Sequence, residues 1–206
     1  MIVILDYGVG NLTSIKNMIR KAGGECVISN DIDVISSANK LLLPGVGSFD
    51  HGISNLKTSP YFDILNKKVL EDKVPILGVC LGVQLFTKSS EEGSLPGLGW
   101  IDAQTIKFQA KRMNNESLKV PHMGWSEVRL KKSSRLFEGM YSDPRFYFVH
   151  SYHLECNNQE DILLNADYGY EFVAGVEHEN ILGVQFHPEK SHKFGLKLYE
   201  NFIKLY

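Results

Sequence analysis

The chain has 206 residues and a formal net charge of −2, with 43% hydrophobic and 22% charged residues. That length supports a full hydrophobic core read as one domain over 1–206, too short to carry a second catalytic domain. The charge argues against a nucleic-acid surface, no run approaches the roughly 20 apolar residues of a membrane span, and three cysteines, an odd count, suit a reducing cytoplasm rather than a disulfide framework.

The first ninety residues alternate strand and helix. Residues 2–5 read directly as an apolar strand, with no basic leader before them. Residues 12–22 form a helix closed by Gly23-Gly24, and 25–28 and 40–43 are strands. One or two helices fill 49–72, interrupted around Thr58-Ser59-Pro60. Residues 74–77 are an apolar strand leading into a helical 81–87. From 99 to 176 short strands and turns take over, as at 105–108, 127–130 and 145–149, and suggest an antiparallel annex. Residues 183–186 return to the main sheet. The closing helix, 193–205, carries an apolar stripe at Phe194, Leu198, Phe202 and Leu205. The expected fold is α/β: a mostly parallel sheet with helices on both faces plus a small antiparallel annex, its functional residues at the carboxyl ends of strands. The lysines of 107–119 and 131–135 read as solvated faces, and the glycosylation-type pattern Asn115-Glu116-Ser117 carries no weight in a cytoplasmic chain.

Chemistry concentrates in three segments. Gly78-Val79-Cys80-Leu81-Gly82 turns a strand sharply into a helix, the pattern of a nucleophile elbow with sulfur as nucleophile. The helix start behind the sulfur supplies positive potential there. Alone, Cys80 reads equally well as a small core residue. Downstream, Val184-Gln185-Phe186-His187-Pro188-Glu189 ends a strand with His and Glu two residues apart, a spacing that leaves a strand on one face, so that Glu189 can sit near His187 and help orient it. The third segment, Pro44-Gly45-Val46-Gly47, is by itself a turn signal. Beside Cys80, the amides of Gly45, Val46 and Gly47, with that of Leu81, can serve a developing oxyanion. Together the segments predict acyl transfer through a thioester with Cys80, His187 and Glu189 as catalytic residues. Gln84 lies one helical turn beyond Cys80 on the same face and is placed to bind substrate. Cys26 and Cys156 lack such a context and read as packing residues. Gly8-Val9-Gly10 begins a dinucleotide fingerprint, but Thr13 stands where its third glycine belongs. His150 and His153 have no companions at ligand spacing, so no metal and no cofactor is expected.

These segments resemble the class I, triad-type glutamine amidotransferases over nearly the whole chain. Asp6-Tyr7-Gly8-Val9-Gly10-Asn11, Pro121-His122-Met123-Gly124-Trp125, Phe148-Val149-His150-Ser151-Tyr152 and His187-Pro188-Glu189-Lys190-Ser191 are similar, within that family, to the amidotransferase subunits of imidazole glycerol phosphate synthases. The resemblance implies a flavodoxin-like fold and hydrolysis of glutamine to glutamate. It implies transfer of the ammonia to a (β/α)8-barrel cyclase subunit in a heterodimer of histidine biosynthesis. It further implies that Gln84, Ser151 and Tyr152 bind glutamine, and that Asn11, Met123, Trp125 and Lys190 face the barrel. Two positions depart from the usual pattern: Ser126 replaces an asparagine and Val83 a methionine. They motivate an alternative in which the ammonia serves a surface-polysaccharide sugar. A non-catalytic regulatory subunit is the other alternative, and the intact Cys80, His187 and Glu189 set argues against it.

Overall fold

The computed structural model describes residues 1–112 and 118–206, so the Asn115-Glu116-Ser117 pattern and the middle of 107–119 lie outside the described residues. Its strands are β1 Ile2–Leu5, β2 Cys26–Ser29, β3 Lys40–Leu43, β4 Ile76–Val79, β5 Ser89–Ser90, β6 Ala103–Lys107, β7 His122–Leu130, β8 Arg145–His150, β9 Tyr152–Cys156, β10 Ile162–Asp167, β11 Glu171–His178 and β12 Ile181–Val184. The α-helices are α1 Leu12–Lys21, α2 Ile32–Ser36, α3 Phe49–Lys57, α4 Phe62–Asn66, α5 Leu81–Leu85 and α6 His192–Leu205. The sheet runs β2-β1-β3-β4-β12-β11-β10-β7-β8, with β9, β6 and β5 branching from β11.

The first five strands of that order pair in parallel, in the flavodoxin-like sequence expected of helices wound on both faces. Their near-continuous apolar runs follow from that double cover. In β1, Ile2 and Ile4 join one core cluster with Ile15 and Ile19 of α1 and Leu198 and Phe202 of α6. Val3 and Leu5 point the other way, toward Ile35 of α2, Ile53 and Leu56 of α3, and Leu65 of α4. Each such fully buried aliphatic side chain stabilises the fold by about 1.5–3 kcal/mol, and truncating Leu42, central on β3, is expected to cost about 2–5 kcal/mol.

The annex is continuous with this sheet. β11 and β12 pair antiparallel across the two-residue turn Glu179-Asn180, and β10, β7 and β8 extend the antiparallel half. Several boundaries differ from the sequence expectation. The elbow strand runs over Ile76–Val79 rather than 74–77, and the strand expected at 183–186 ends at Val184. The stretch 49–72 holds α3, α4 and a π-helical turn, Lys67–Glu71. Helix α2 was not among the expected elements. Asp31 caps it by accepting hydrogen bonds from the amides of Asp33 at 2.9 Å and Val34 at 3.1 Å. No helix among the described residues is long and apolar enough to cross a membrane.

Candidate active site

β3, β4 and β12 are adjacent and parallel, so the segments at their carboxyl ends converge. β4 delivers Cys80 with φ 54° and ψ −110°, a left-handed conformation that an L-residue holds at a cost of about 1–3 kcal/mol. The amide of Cys80 donates to the Val184 carbonyl at 2.9 Å, tying the elbow to β12. The flanking glycines are dictated by packing. A Cβ on Gly78 would come within 2.6 Å of the Phe86 ring, and one on Gly82 would overlap the Leu43 carbonyl oxygen. This contact brings the loop after β3 against the elbow, with Gly45 buried behind Leu81 and Val46 and Gly47 exposed at the cavity. The Leu81 amide, in the first turn of α5, has no intrahelical acceptor.

His187 is clamped by its backbone. Its amide donates to the Tyr147 carbonyl at 2.9 Å, while the Ser191 hydroxyl donates to the His187 carbonyl at 2.6 Å and accepts from the Tyr147 amide at 3.0 Å. Nδ1 of His187 lies 2.8 Å from Glu189 Oε1, with both side chains almost wholly inaccessible. The expected alternation along a strand does not produce this pair, because the chain has left β12 and Pro188–Lys190 form a 3-10 turn. That turn folds Glu189 back under the imidazole. With Nδ1 donating to the carboxylate, Nε2 is the nitrogen left for the sulfur; it is buried and makes no hydrogen bond among the described residues. Burial pulls the imidazole pKa down, but the Cys80 and Glu189 side chains outweigh it and raise it from 6.5 to about 10. The two side chains thus favour the protonated ring, beside the sulfur.

A cavity of about 300 Å³ opens over these groups, lined by Val46, Gly47, Cys80, Leu81, Gln84, Ser151, Tyr152 and His187 among others. Gln84 is buried, not a surface residue of α5: its Nε2 donates to the Tyr152 carbonyl at 3.2 Å and to Gln185 Oε1 at 3.1 Å. Three features of the site were not legible in the sequence. Glu92 reaches the cavity wall from a distant loop while its Oε2 accepts from the Phe49 amide at 2.8 Å. Gln185, fully buried, donates from Nε2 to Cys80 Sγ at 3.8 Å. His122 and His150, directly paired across β7 and β8, meet at 2.9 Å. Burial lowers the pKa of His122 to about 4 and holds that of His150 well below 6.5, so both are neutral.

The remaining sequence candidates lie on the outer surface. Met123 is 61% and Trp125 46% exposed, and Asn11 and Lys190 are exposed. Trp125 stacks on His192 with ring centroids 5.4 Å apart, and Lys190 Nζ sits 5.8 Å from the Tyr147 ring centre, so Trp125, Tyr147, Lys190 and His192 share one patch. Cys26 and Cys156 are free thiols away from the cavity, and burial pushes Cys156 up to about 12.

The family model "Glutamine amidotransferase class-I" matches residues 3–205. The chain is 55% identical over 204 residues to imidazole glycerol phosphate synthase subunit HisH 2 of Methanococcus maripaludis, covering 99% of each chain. It is 45% identical over 205 residues to the subunit HisH 2 of Pseudomonas aeruginosa, covering 100% of each. Among solved structures, a putative GMP synthase protein from Thermoplasma acidophilum superposes with a TM-score of 0.72 at 23% identity, covering 98% of this chain and 91% of that one. PurLQS from Thermotoga maritima gives 0.73 at 16% identity, covering 99% and 97%. These two likenesses establish the fold. The chain belongs to the class-I glutamine amidotransferases and, within them, to the family of imidazole glycerol phosphate synthase HisH subunits.

Proposed function

We propose that this chain, in the cytoplasm, hydrolyses glutamine to glutamate and ammonia through a thioester on Cys80, and passes the ammonia to a (β/α)8-barrel cyclase subunit that builds imidazole glycerol phosphate. The observation that carries the reading is the strained Cys80 elbow sharing one cavity with His187, whose Nδ1 is bonded to the buried Glu189 carboxylate.

Glutamine enters with its side-chain amide over Cys80. Cys80, as thiolate or deprotonated by His187, forms an Sγ–C bond, and the displaced carbonyl electrons settle on oxygen. The amides of Leu81 and the Gly45, Val46 and Gly47 loop receive that oxyanion, a donor worth about 3–4 kcal/mol when lost. Collapse breaks the C–N bond as the His187 imidazolium gives its proton to nitrogen, so ammonia leaves neutral. Water then gives a proton to His187 and adds to the thioester carbon; the C–S bond breaks, releasing glutamate and returning Cys80 and His187 to their starting state. Glu189 keeps the ring oriented and stabilises its charged form. At the other end of the substrate, Glu92 offers a carboxylate for the α-ammonium group, and Ser151, Tyr152 and Gln84 provide polar contacts. Free ammonia in water is protonated and useless as a nucleophile, which favours a docked acceptor. Exposed Met123 and Trp125, with Lys190 beside Tyr147, supply an apolar and cationic contact area for the barrel, and Asn11 is exposed to contribute as well.

The test is glutamate release by the chain alone and with a histidine-pathway barrel carrying its nucleotide ligand. Stimulation by orders of magnitude supports the reading. Stimulation only by a sugar amidotransferase partner would reassign the acceptor, and none by either would remove the partner-coupled function.

A further inference from the structure

Gln185 stands between Val184 and Phe186, all three wholly inaccessible. A buried amide there carries a desolvation cost unless every polar atom is bonded, and a methionine would fill the same volume without it. Its bonds run in one consistent direction. The Tyr152 carbonyl can only accept, so His150 Nδ1, 2.7 Å away, carries a hydrogen. His150 is neutral, so its Nε2 accepts from His122 Nδ1 at 2.9 Å. His122 Nε2 then accepts from the Ser126 hydroxyl at 2.9 Å. The same Tyr152 carbonyl accepts from Gln84 Nε2, whose second hydrogen goes to Gln185 Oε1. With Oε1 committed as acceptor, the Gln185 Nε2 is the end that faces sulfur, at 3.8 Å. Both hydrogens of Gln84 are used, which leaves its Oε1 as the atom offered to the cavity.

We infer that Gln185 is a positioning residue for the reaction: its amide holds the Cys80 sulfur by donation and, by accepting from Gln84, fixes that neighbour so that the cavity presents an oxygen to donors on the substrate. The inference rests on the proposed Cys80 thioester chemistry. The Tyr152 carbonyl, which can only accept, sets the direction of these amides, and the chain from Ser126 through His122 and His150 ends by donating to the same carbonyl. The substrate groups it selects are N–H donors, as on glutamine.

Two variants separate the roles, measured as glutaminase with the cyclase partner present. Gln185→Glu keeps an acceptor for Gln84 but puts an acceptor, not a donor, against sulfur. Its kcat is expected to fall about tenfold or more, the scale of one hydrogen bond to an anion, with KM within about twofold. Gln185→Met removes both bonds and is expected to lower kcat and raise KM together, because the Gln84 amide is free to turn. Folded variants with kcat and KM both within twofold of the parent would overturn the inference, as would a KM rise without loss of kcat. If either variant fails to fold, the intact chain decides. The side-chain amide proton of Gln185, followed by NMR without glutamine, should shift on Cys80→Ala, and an unmoved resonance would overturn the proposal. Glutamate release that survives Cys80→Ala would instead sink the thioester reading, so the two failures are distinguishable.

Discussion

Glu189 Oε1 accepts from His187 Nδ1 at 2.8 Å in a pocket that excludes water from both side chains. In the proposed mechanism, proton transfer therefore runs through a pair held in a low dielectric. Because the folded pKa of His187 is raised from 6.5 to about 10, protonation stabilises the fold. That contribution is fully present below about pH 6.5 and is lost as pH rises through about 10. Glu189→Gln removes one of the two raising side chains, so the alkaline limb of kcat/KM should move to lower pH. kcat should fall about 100-fold or more. A pH–rate profile with an unmoved limb would show that Glu189 does not set the state of the imidazole.

Cys80 and Gly82 predict stability changes of opposite sign. Cys80→Gly is expected to abolish glutaminase activity but, by relieving a positive φ of 54°, to raise the unfolding free energy by about 1 kcal/mol. Gly82→Ala drives a methyl group into the Leu43 carbonyl and should destabilise by about 1–3 kcal/mol. Chemical denaturation of the two variants beside the parent reads both signs.

Glu92 faces the cavity, and its negative potential joins desolvation in raising the Tyr152 hydroxyl pKa. Glu92→Gln preserves an oxygen for the Phe49 amide while removing the charge. KM for glutamine should rise about tenfold or more, the loss of one charge-assisted bond, with kcat changing far less. Steady-state kinetics in which kcat falls and KM holds would assign Glu92 to the chemistry instead.

Gly47 adopts φ 97°, and a Cβ built on it meets nothing within 4 Å. The obstacle to a side chain is thus the backbone conformation itself, not crowding. If activation requires the Gly45–Val46 peptide to turn its N–H toward the oxyanion, Gly47→Val should lose stimulation by the partner while glutamine binding changes little. Binding measured by calorimetry and turnover measured with and without the barrel distinguish this from a general loss of folding.

The elbow was readable because a side chain held at positive φ between crowded strand ends needs glycines at fixed spacing, and spacing is what a sequence preserves. The parallel half was readable for a similar reason: strands covered on both faces must be apolar throughout, as in Ile2–Leu5. Glu92, Gln185 and the His122–His150 pair were not readable. They meet through strand register and loop return, and nothing near Glu92 in the chain marks it as lining the cavity that holds Cys80. His187 and Glu189 were found together on a strand-alternation argument, whereas a 3-10 turn begun by Pro188 brings them together.

The central claim is covalent catalysis at Cys80. Intact-mass analysis of acid-quenched reactions during turnover of glutamine, with the partner present, should show a glutamyl adduct confined to the peptide that contains Cys80, and Cys80→Ala should show neither adduct nor glutamate release. Turnover without an adduct in the parent, together with undiminished glutamate release by Cys80→Ala, would contradict the account.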